Sequence, residues 1–355
     1  MEHYAICFTG WWTWWHVFPI TALLEYAQQD NEMTTKCKLY RFGSYNSLES
    51  DIARQFPAVH FIPVASGKLR RYWDWDAFFK NVADMVKVIW WFFQSLWYLK
   101  KYKIQKVFCK WWYVALPVSF AAKMLGIPIL VHESDTHIGL TNKLVWTLAW
   151  KRYSWFPWTF PNERVVGQIL SHTLRNPTPI ELPNFDQQRT TLIVIWWSQW
   201  SNYLLTIVEQ LCVKYPLMQF LVVLGLKNKQ QAERFVHQNN IWTFDFLQQK
   251  QLAYLYQLAD LACTRWSATT LAELHWFGVK KIIVPLPYTW WNHQEINADR
   301  YVEQYNDYKI LQTDQPTIQA YTAIIDQYQW YKKPSSLQNG DFTSAHTIIW
   351  ADLLE

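Results

Sequence analysis

Tyr4-Ala5-Ile6-Cys7-Phe8-Thr9-Gly10-Trp11-Trp12-Thr13-Trp14-Trp15-His16-Val17-Phe18-Pro19 is the stretch on which the fold turns. Its first six residues are an apolar run of strand length, and the segment 17–28 after it carries a helical pattern. Between them lies a tight turn that starts with glycine and is crowded with four indoles. A strand handing over to a helix through such a turn is the opening unit of a parallel α/β sheet.

The same unit recurs along the chain. Strands are expected over 4–9, 38–42, 59–64, 106–109 and 127–132, with helices over 17–28, 77–102 and 116–125. A second array follows, with strands over 191–195, 219–224, 242–246, 261–264 and 281–285. Its helices are expected over 202–213, 232–238, 251–258, 269–277 and 294–304. Two successive arrays predict two Rossmann-like domains, each a parallel sheet covered by helices. The stretch 156–183 holds five prolines and is the expected boundary, giving domains 1–163 and 164–334. The tail from about 335 to 355 ends in an apolar-patterned segment, a last helix able to pack back on the first domain.

Composition sharpens where to look. Glycine occurs 9 times in 355 residues, where ordinary usage of about 7% would give roughly 25. Tryptophan, normally rare, occurs 25 times. The net charge of +5 suits anionic ligands or an anionic membrane surface, without the basic block of a nucleic-acid arm, so no nucleic-acid partner is expected. Five scattered cysteines, Cys7, Cys37, Cys109, Cys212 and Cys263, have no CxxC spacing. That predicts neither a disulfide framework nor a zinc site, and a reducing cytoplasm. Neither a secretory leader nor an apolar run long enough to span a bilayer is legible.

Ligands of open α/β sheets bind beyond the carboxyl ends of the strands, and the tryptophans cluster there. Four such loops are Thr9 to Pro19, Lys110-Trp111-Trp112-Tyr113-Val114-Ala115-Leu116-Pro117, Trp196-Trp197-Ser198-Gln199-Trp200-Ser201-Asn202, and Thr264-Arg265-Trp266-Ser267-Ala268-Thr269-Thr270-Leu271-Ala272-Glu273. With glycine at the tryptophans they become TGGGTGGHVFP, KGGYVALP, GGSQGSN and TRGSATTLAE. Loops of that kind let backbone N–H groups approach an anion and tolerate positive φ.

So written, the chain resembles the MurG-type transferases. Segments without tryptophan agree: 66–72 (SGKLRRY), 132–135 (HESD), 139–143 (GLTNK) and 293–298 (HQEINA). The resemblance spans about residues 4–305. It implies the GT-B architecture, two Rossmann-like domains facing a central cleft, with acceptor and membrane on the N-terminal domain and UDP-sugar on the C-terminal one. It implies an inverting transfer of GlcNAc from UDP-GlcNAc to undecaprenyl-pyrophosphoryl-MurNAc-pentapeptide, lipid I, giving lipid II for peptidoglycan. Position by position, Ser198, Gln199, Arg265, Glu273, His293 and Gln294 fall at donor-binding places. Thr13, Trp14, Trp15 and Tyr113 fall in the acceptor and phosphate loops. His16 and Asp135 are rival candidates for the base that deprotonates the acceptor hydroxyl; an imidazole titrates near neutral pH. The resemblance implies no cofactor and no obligatory metal, and a peripheral location on the inner leaflet of the cytoplasmic membrane. A patch suited to that contact combines Arg70, Arg71, Tyr72, Trp73, Phe78, Phe79, Trp91, Phe92, Phe93, Lys100 and Lys101. One departure is free of tryptophan: where the family often carries a GNPVR-like hinge, this chain has Val166-Gly167-Gln168-Ile169-Leu170-Ser171, leaving pyrophosphate neutralisation to Arg265 or to helix N-termini.

Three accounts of the tryptophans stay open. In a lineage that reads UGA as glycine, translation by a table that reads it as tryptophan would convert UGA-coded glycines and spare the GGN-coded ones. Alternatively, the indoles belong to an inactive relative that binds carbohydrate or membrane, or they were engineered to block the loops. A GT-B transferase with another lipid acceptor is a further functional alternative.

Overall fold

The computed structural model describes residues 4–10, 14–44, 50, 53–54, 56–64, 75–110, 115–136, 140–195, 202–287, 292–334 and 344–355. They form two compact units, Met1–Ser171 with Thr343–Glu355, and His172–Phe342.

The first unit is built on a seven-stranded sheet ordered β3-β2-β1-β4-β5-β6-β7, every pairing parallel. Its strands are β1 (Tyr4–Thr9), β2 (Cys37–Ser44), β3 (Val59–Val64), β4 (Lys106–Lys110), β5 (Ile129–Glu133), β6 (Lys151–Ser154) and β7 (Arg164–Val165). The helices are α1 (Trp14–Gln29), α2 (Asn31–Lys36), α3 (Trp75–Lys101), α4 (Ala115–Met124) and α5 (Leu140–Leu148). Buried β1, β4 and β5 read as nearly continuous apolar runs because helices cover a parallel sheet on both faces. The short strands β6 and β7 begin with lysine and arginine, so the sequence pattern does not mark them. Since β7 belongs to this sheet, the first unit runs on past residue 163, to Ser171.

A final helix, α11 (Ser344–Leu354), completes the first unit. Ala345, Ile349, Trp350 and Leu353 join the apolar core of β1, β4 and α1. The Trp350 indole N–H donates to the Leu23 carbonyl at 3.1 Å, and Tyr153 donates its hydroxyl proton to Asp352 at 2.5 Å.

Helix α3 has two faces. Trp91, Ser95 and Leu99, spaced by four, are buried, whereas Val86, Ile89, Trp90, Phe93 and Trp97 are exposed. Trp91 therefore leaves the surface patch expected from the sequence and belongs to the core, and Phe92 packs partly against it. Of the remaining patch residues, 70–73 and the side chains of Phe78 and Phe79 lie outside the described residues.

The second unit carries a six-stranded parallel sheet ordered β10-β9-β8-β11-β12-β13. These are β8 (Thr191–Ile195), β9 (Gln219–Val223), β10 (Ile241–Phe244), β11 (Leu261–Thr264), β12 (Lys280–Ile283) and β13 (Tyr308–Lys309). Helices α6 (Asn202–Lys214), α7 (Gln249–Leu258), α8 (Ala268–Trp276), α9 (His293–Tyr305) and α10 (Gln319–Ile325) cover it. The α-helix expected over 232–238 is instead part of a 3-10 run, Leu226–Phe235. That polar stretch has too few apolar side chains to hold a helix against the sheet. Asp260, fully buried, ties the start of the central strand β8 to the segment after α10: it accepts from the amides of Thr191 (2.8 Å) and Lys333 (2.9 Å) and from Lys332 Nζ (2.9 Å).

Candidate functional site

In each sheet the strand order reverses once, between β1 and β4 in the first unit and between β8 and β11 in the second. Such a switch point opens a crevice at the carboxyl ends of the two strands. Among the described residues, Arg265 follows β11 and Glu273 lies on the helix after it, while Asp135 follows β5 and His293 and Gln294 open the helix after β12.

In the first unit Gly10 closes β1 with φ 132°, and a Cβ there would lie 1.8 Å from the Lys110 carbonyl oxygen. Glycine is needed at that point, because the backbone leaving β1 runs directly against the end of β4, its parallel neighbour. His16, Trp14 and Trp15 lie in the first turns of α1, with side chains outside the described residues; Thr13 and Tyr113 lie outside them altogether. Asp135 is half-buried in the turn after β5, its amide donating to Glu133 Oε1 at 2.9 Å. The Ser134 amide donates to the same oxygen at 2.7 Å.

Beneath that turn sits a lysine that the sequence pattern does not single out. Lys110 is 1% exposed. Its Nζ lies 2.6 Å from His132 Nδ1 and 2.5 Å from Ser134 Oγ. Ser134 Oγ in turn donates to Gln168 Oε1 at 2.7 Å, and His132 Nε2 lies 2.9 Å from the Gly167 carbonyl. Burial pulls the Lys110 ammonium down to about 8, opposed by Glu133 and Asp135. Burial, with Lys110 and His346 nearby, holds His132 well below the usual imidazole range, against the opposing bond to Gly167. A charged residue closing the apolar run Val107-Phe108-Cys109 was the available signal for this cluster.

In the second unit Arg265 follows β11 and is buried. Its guanidinium donates to the carbonyls of Val284 (3.1 Å) and Pro285 (3.4 Å) and to Gln312 Oε1 (2.7 Å). Arg265 thereby braces the chain after β12, and desolvation lowers its pKa. Ser267 caps α8, its side chain accepting from the Thr270 amide, as expected for serine at that position.

One turn further on, Glu273 is buried at 4% exposure. Gln249 Nε2 donates to its Oε1 and the Tyr256 hydroxyl to its Oε2, both at 3.1 Å. Desolvation pushes this carboxyl up to about 7, although both hydrogen bonds oppose the shift. A carboxyl of that kind changes charge near neutral pH and can pair with two adjacent hydroxyls. Gln249 and Tyr256, both on α7, are partners that α8 alone does not reveal. At the start of α9, His293 is half-buried, and Gln294 Oε1 accepts from the Leu286 amide at 3.0 Å. Ser198 and Gln199 lie outside the described residues. Among the described residues, no three or more His, Cys, Asp or Glu side chains are grouped to hold a metal.

Three tryptophans at described positions bear on the glycine question. Trp158 stands at φ 65° and is 87% exposed, a backbone conformation that glycine adopts freely and bulky residues rarely do. Trp146 and Phe160 stack with centroids 3.3 Å apart, closer than aromatic pairs normally pack. Trp266 is instead accommodated, edge-on to Tyr301 at 6.0 Å.

Residues 6–154 match the Glycosyltransferase family 28 N-terminal domain, and residues 198–333 match the Glycosyltransferase family 28 C-terminal domain. The chain is 30% identical over 303 residues to the UDP-N-acetylglucosamine--N-acetylmuramyl-(pentapeptide) pyrophosphoryl-undecaprenol N-acetylglucosamine transferase of Streptococcus gordonii, covering 82% of this chain and 81% of that one. This chain belongs to glycosyltransferase family 28. A Staphylococcus aureus protein of the same description is 29% identical to this family 28 chain over 290 residues, covering 79% of it and 78% of the relative. Among solved structures, Acinetobacter baumannii MurG superposes with a TM-score of 0.70 at 21% identity, over 92% of this chain and 90% of that one. The fold is GT-B, as the family implies. A UDP-GlcNAc 2-epimerase from Neisseria meningitidis shares it at a TM-score of 0.63 and 12% identity, covering 100% of each chain. The fold therefore does not choose the reaction; the family does.

Proposed function

We propose that this family 28 glycosyltransferase moves GlcNAc from UDP-GlcNAc to undecaprenyl-pyrophosphoryl-MurNAc-pentapeptide, forming lipid II for peptidoglycan. The observation that carries this is the 30% identity, across both Rossmann-like units, to a transferase named for that reaction. The transfer is one direct displacement. The acceptor hydroxyl oxygen bonds to the anomeric carbon, the bond from that carbon to UDP breaks, and UDP leaves with the electron pair. The hydroxyl proton passes to a base, His16 or Asp135.

Glu273 is suited to the ribose hydroxyls, since its carboxyl is held by two neutral donors that a diol can replace. Arg265, Ser198 and Gln199 serve the nucleotide side, and His293 with Gln294 the donor sugar. Thr13, Trp14, Trp15 and Tyr113 mark the acceptor and phosphate loops. Charge developing on UDP is met by helix N-termini and backbone amides. Close approach of those amides calls for glycine at positions 11, 12, 14, 15, 111, 112, 196, 197, 200 and 266, and the strained Trp158 supports glycine at some tryptophan positions of the working enzyme.

The enzyme acts at the cytoplasmic face of the membrane as a peripheral protein. Among the described residues no helix is long and apolar enough to cross a bilayer. The exposed stripe Val86, Ile89, Trp90, Phe93 and Trp97 on α3, close to Lys87, Lys100 and Lys101, is suited to lying in a lipid interface.

Acceptor choice tests the proposal. With radiolabelled UDP-GlcNAc, label should pass to lipid I and not to diacylglycerol. Label passing to diacylglycerol alone would transfer the chain to the other acceptor class.

A further inference from the structure

Lys110 ends β4 with its ammonium turned inward, where an uncompensated charge is strongly disfavoured. The bonds around it have forced directions. The Gly167 carbonyl can only accept, so His132 carries its proton on Nε2. In a neutral imidazole Nδ1 is then an acceptor, and the Lys110 ammonium supplies the proton. Lys110 donates a second proton to Ser134 Oγ, which passes its own to Gln168 Oε1. One side chain thus joins the end of β4, where Gly10 packs against the Lys110 backbone, the turn bearing Asp135, and the Gly167–Gln168 segment after β7.

We propose that Lys110 is a positioning residue for the acceptor side of the transfer. Its ammonium fixes the Nδ1 face of His132 and holds the Asp135 turn and the Gly167–Gln168 segment in place beside the β1–β4 crevice. This rests on the transferase function proposed above. It also gives a role to the segment where the chain departs from the family's hinge: Gln168 is an end point of the Lys110 chain.

Among the described residues, the charged and titratable groups around Lys110 are Glu133 and Asp135, His132, the buried Cys109 thiol and, beyond His132, His346 of α11. Glu133 and Asp135 favour the ammonium, while burial opposes it and brings its loss to about 8. The ammonium is present below that pH and lost above it. Acceptor binding should therefore weaken as pH rises through 8, with UDP binding unaffected.

The test uses the full chain and Lys110→Met. Imidazole 15N NMR of the parent should show the His132 Nδ1 resonance moving as Lys110 titrates near pH 8, and no such movement in Lys110→Met. Farnesyl pyrophosphate, a short stand-in for the lipid pyrophosphate, should bind the variant about tenfold more weakly, with UDP binding kept within about twofold. In turnover the acceptor KM should rise by a similar factor while kcat holds. Should Lys110→Met fail to fold, Gln168→Leu breaks the far end of the same chain and should raise the acceptor KM alone. An Nδ1 resonance unmoved between pH 7 and 9, or equal weakening of both ligands, overturns the proposal. Absent transfer to lipid I, with the NMR and binding differences intact, would instead fault the transferase function.

Discussion

Replacing Glu273 by glutamine tests the chemistry of the donor-side carboxyl through stability. In the folded unit its pKa stands at about 7 against an ordinary 4.5, with desolvation the main cause. Between those values the folded chain keeps a proton that the unfolded chain has released, so stability falls as pH rises across that window. At 1.36 kcal/mol per pH unit the loss is about 3 kcal/mol by pH 8. Glutamine removes that loss. Both neighbours donate to the carboxyl, however, and the new NH2 would face one of those donors, forfeiting about 1 kcal/mol. The Glu273→Gln protein should therefore be about 2 kcal/mol more stable than its parent at pH 8. At pH 4.5 and below the advantage should vanish or reverse. Urea titration followed by hydrogen exchange of the β8 and β11 amides isolates the second unit's transition. UDP affinity of the variant should fall in the same samples, since a stabilised site has lost its carboxylate. Equal effects on stability at pH 4.5 and 8 would refute the claim that Glu273 is buried at the expense of its charge.

Further outcomes follow from the same structure. Trp158→Gly should raise the melting temperature by a few degrees, because relieving a bulky residue at φ 65° recovers about 1–2 kcal/mol. Asp260→Ala should destabilise the second unit by about 3–5 kcal/mol, leaving Lys332 and two buried amides without their common acceptor; a denaturant midpoint measures it. Trp90→Glu with Phe93→Glu should reduce co-sedimentation with anionic vesicles at least tenfold. The pair should leave the melting temperature within about two degrees, since both side chains already face outward.

The sheet strands with long apolar runs were legible because parallel strands covered on both faces leave no alternation to blur them. β6, β7 and β13 were not, being two to four residues long and starting with polar or aromatic residues. Docking of α11 depends on a bond from Trp350 to Leu23, partners 327 positions apart that no local pattern relates. Glu273 was legible as a site candidate, flanked by Ala272 and Leu274, yet its burial and its partners Gln249 and Tyr256 required the packing of α7 on α8. Lys110 stands first in the glycine-type loop at the end of β4. Its role emerges only when β5 lies beside β4 in register, pairing Lys110 with His132. Much of the expected site, including Thr13, Tyr113, Ser198 and Gln199, stands on motif resemblance alone.

The central claim is transfer of GlcNAc to lipid I with inversion. The direct measurement is an NMR determination of the products formed from 13C-labelled UDP-GlcNAc and lipid I, using this chain and a version with glycine at the ten loop tryptophans. The account predicts one UDP released per β-linked GlcNAc on the lipid, with the glycine version far the more active. Hydrolysis to free sugar without lipid product, an α-linked product, or no transfer by the glycine version would contradict it.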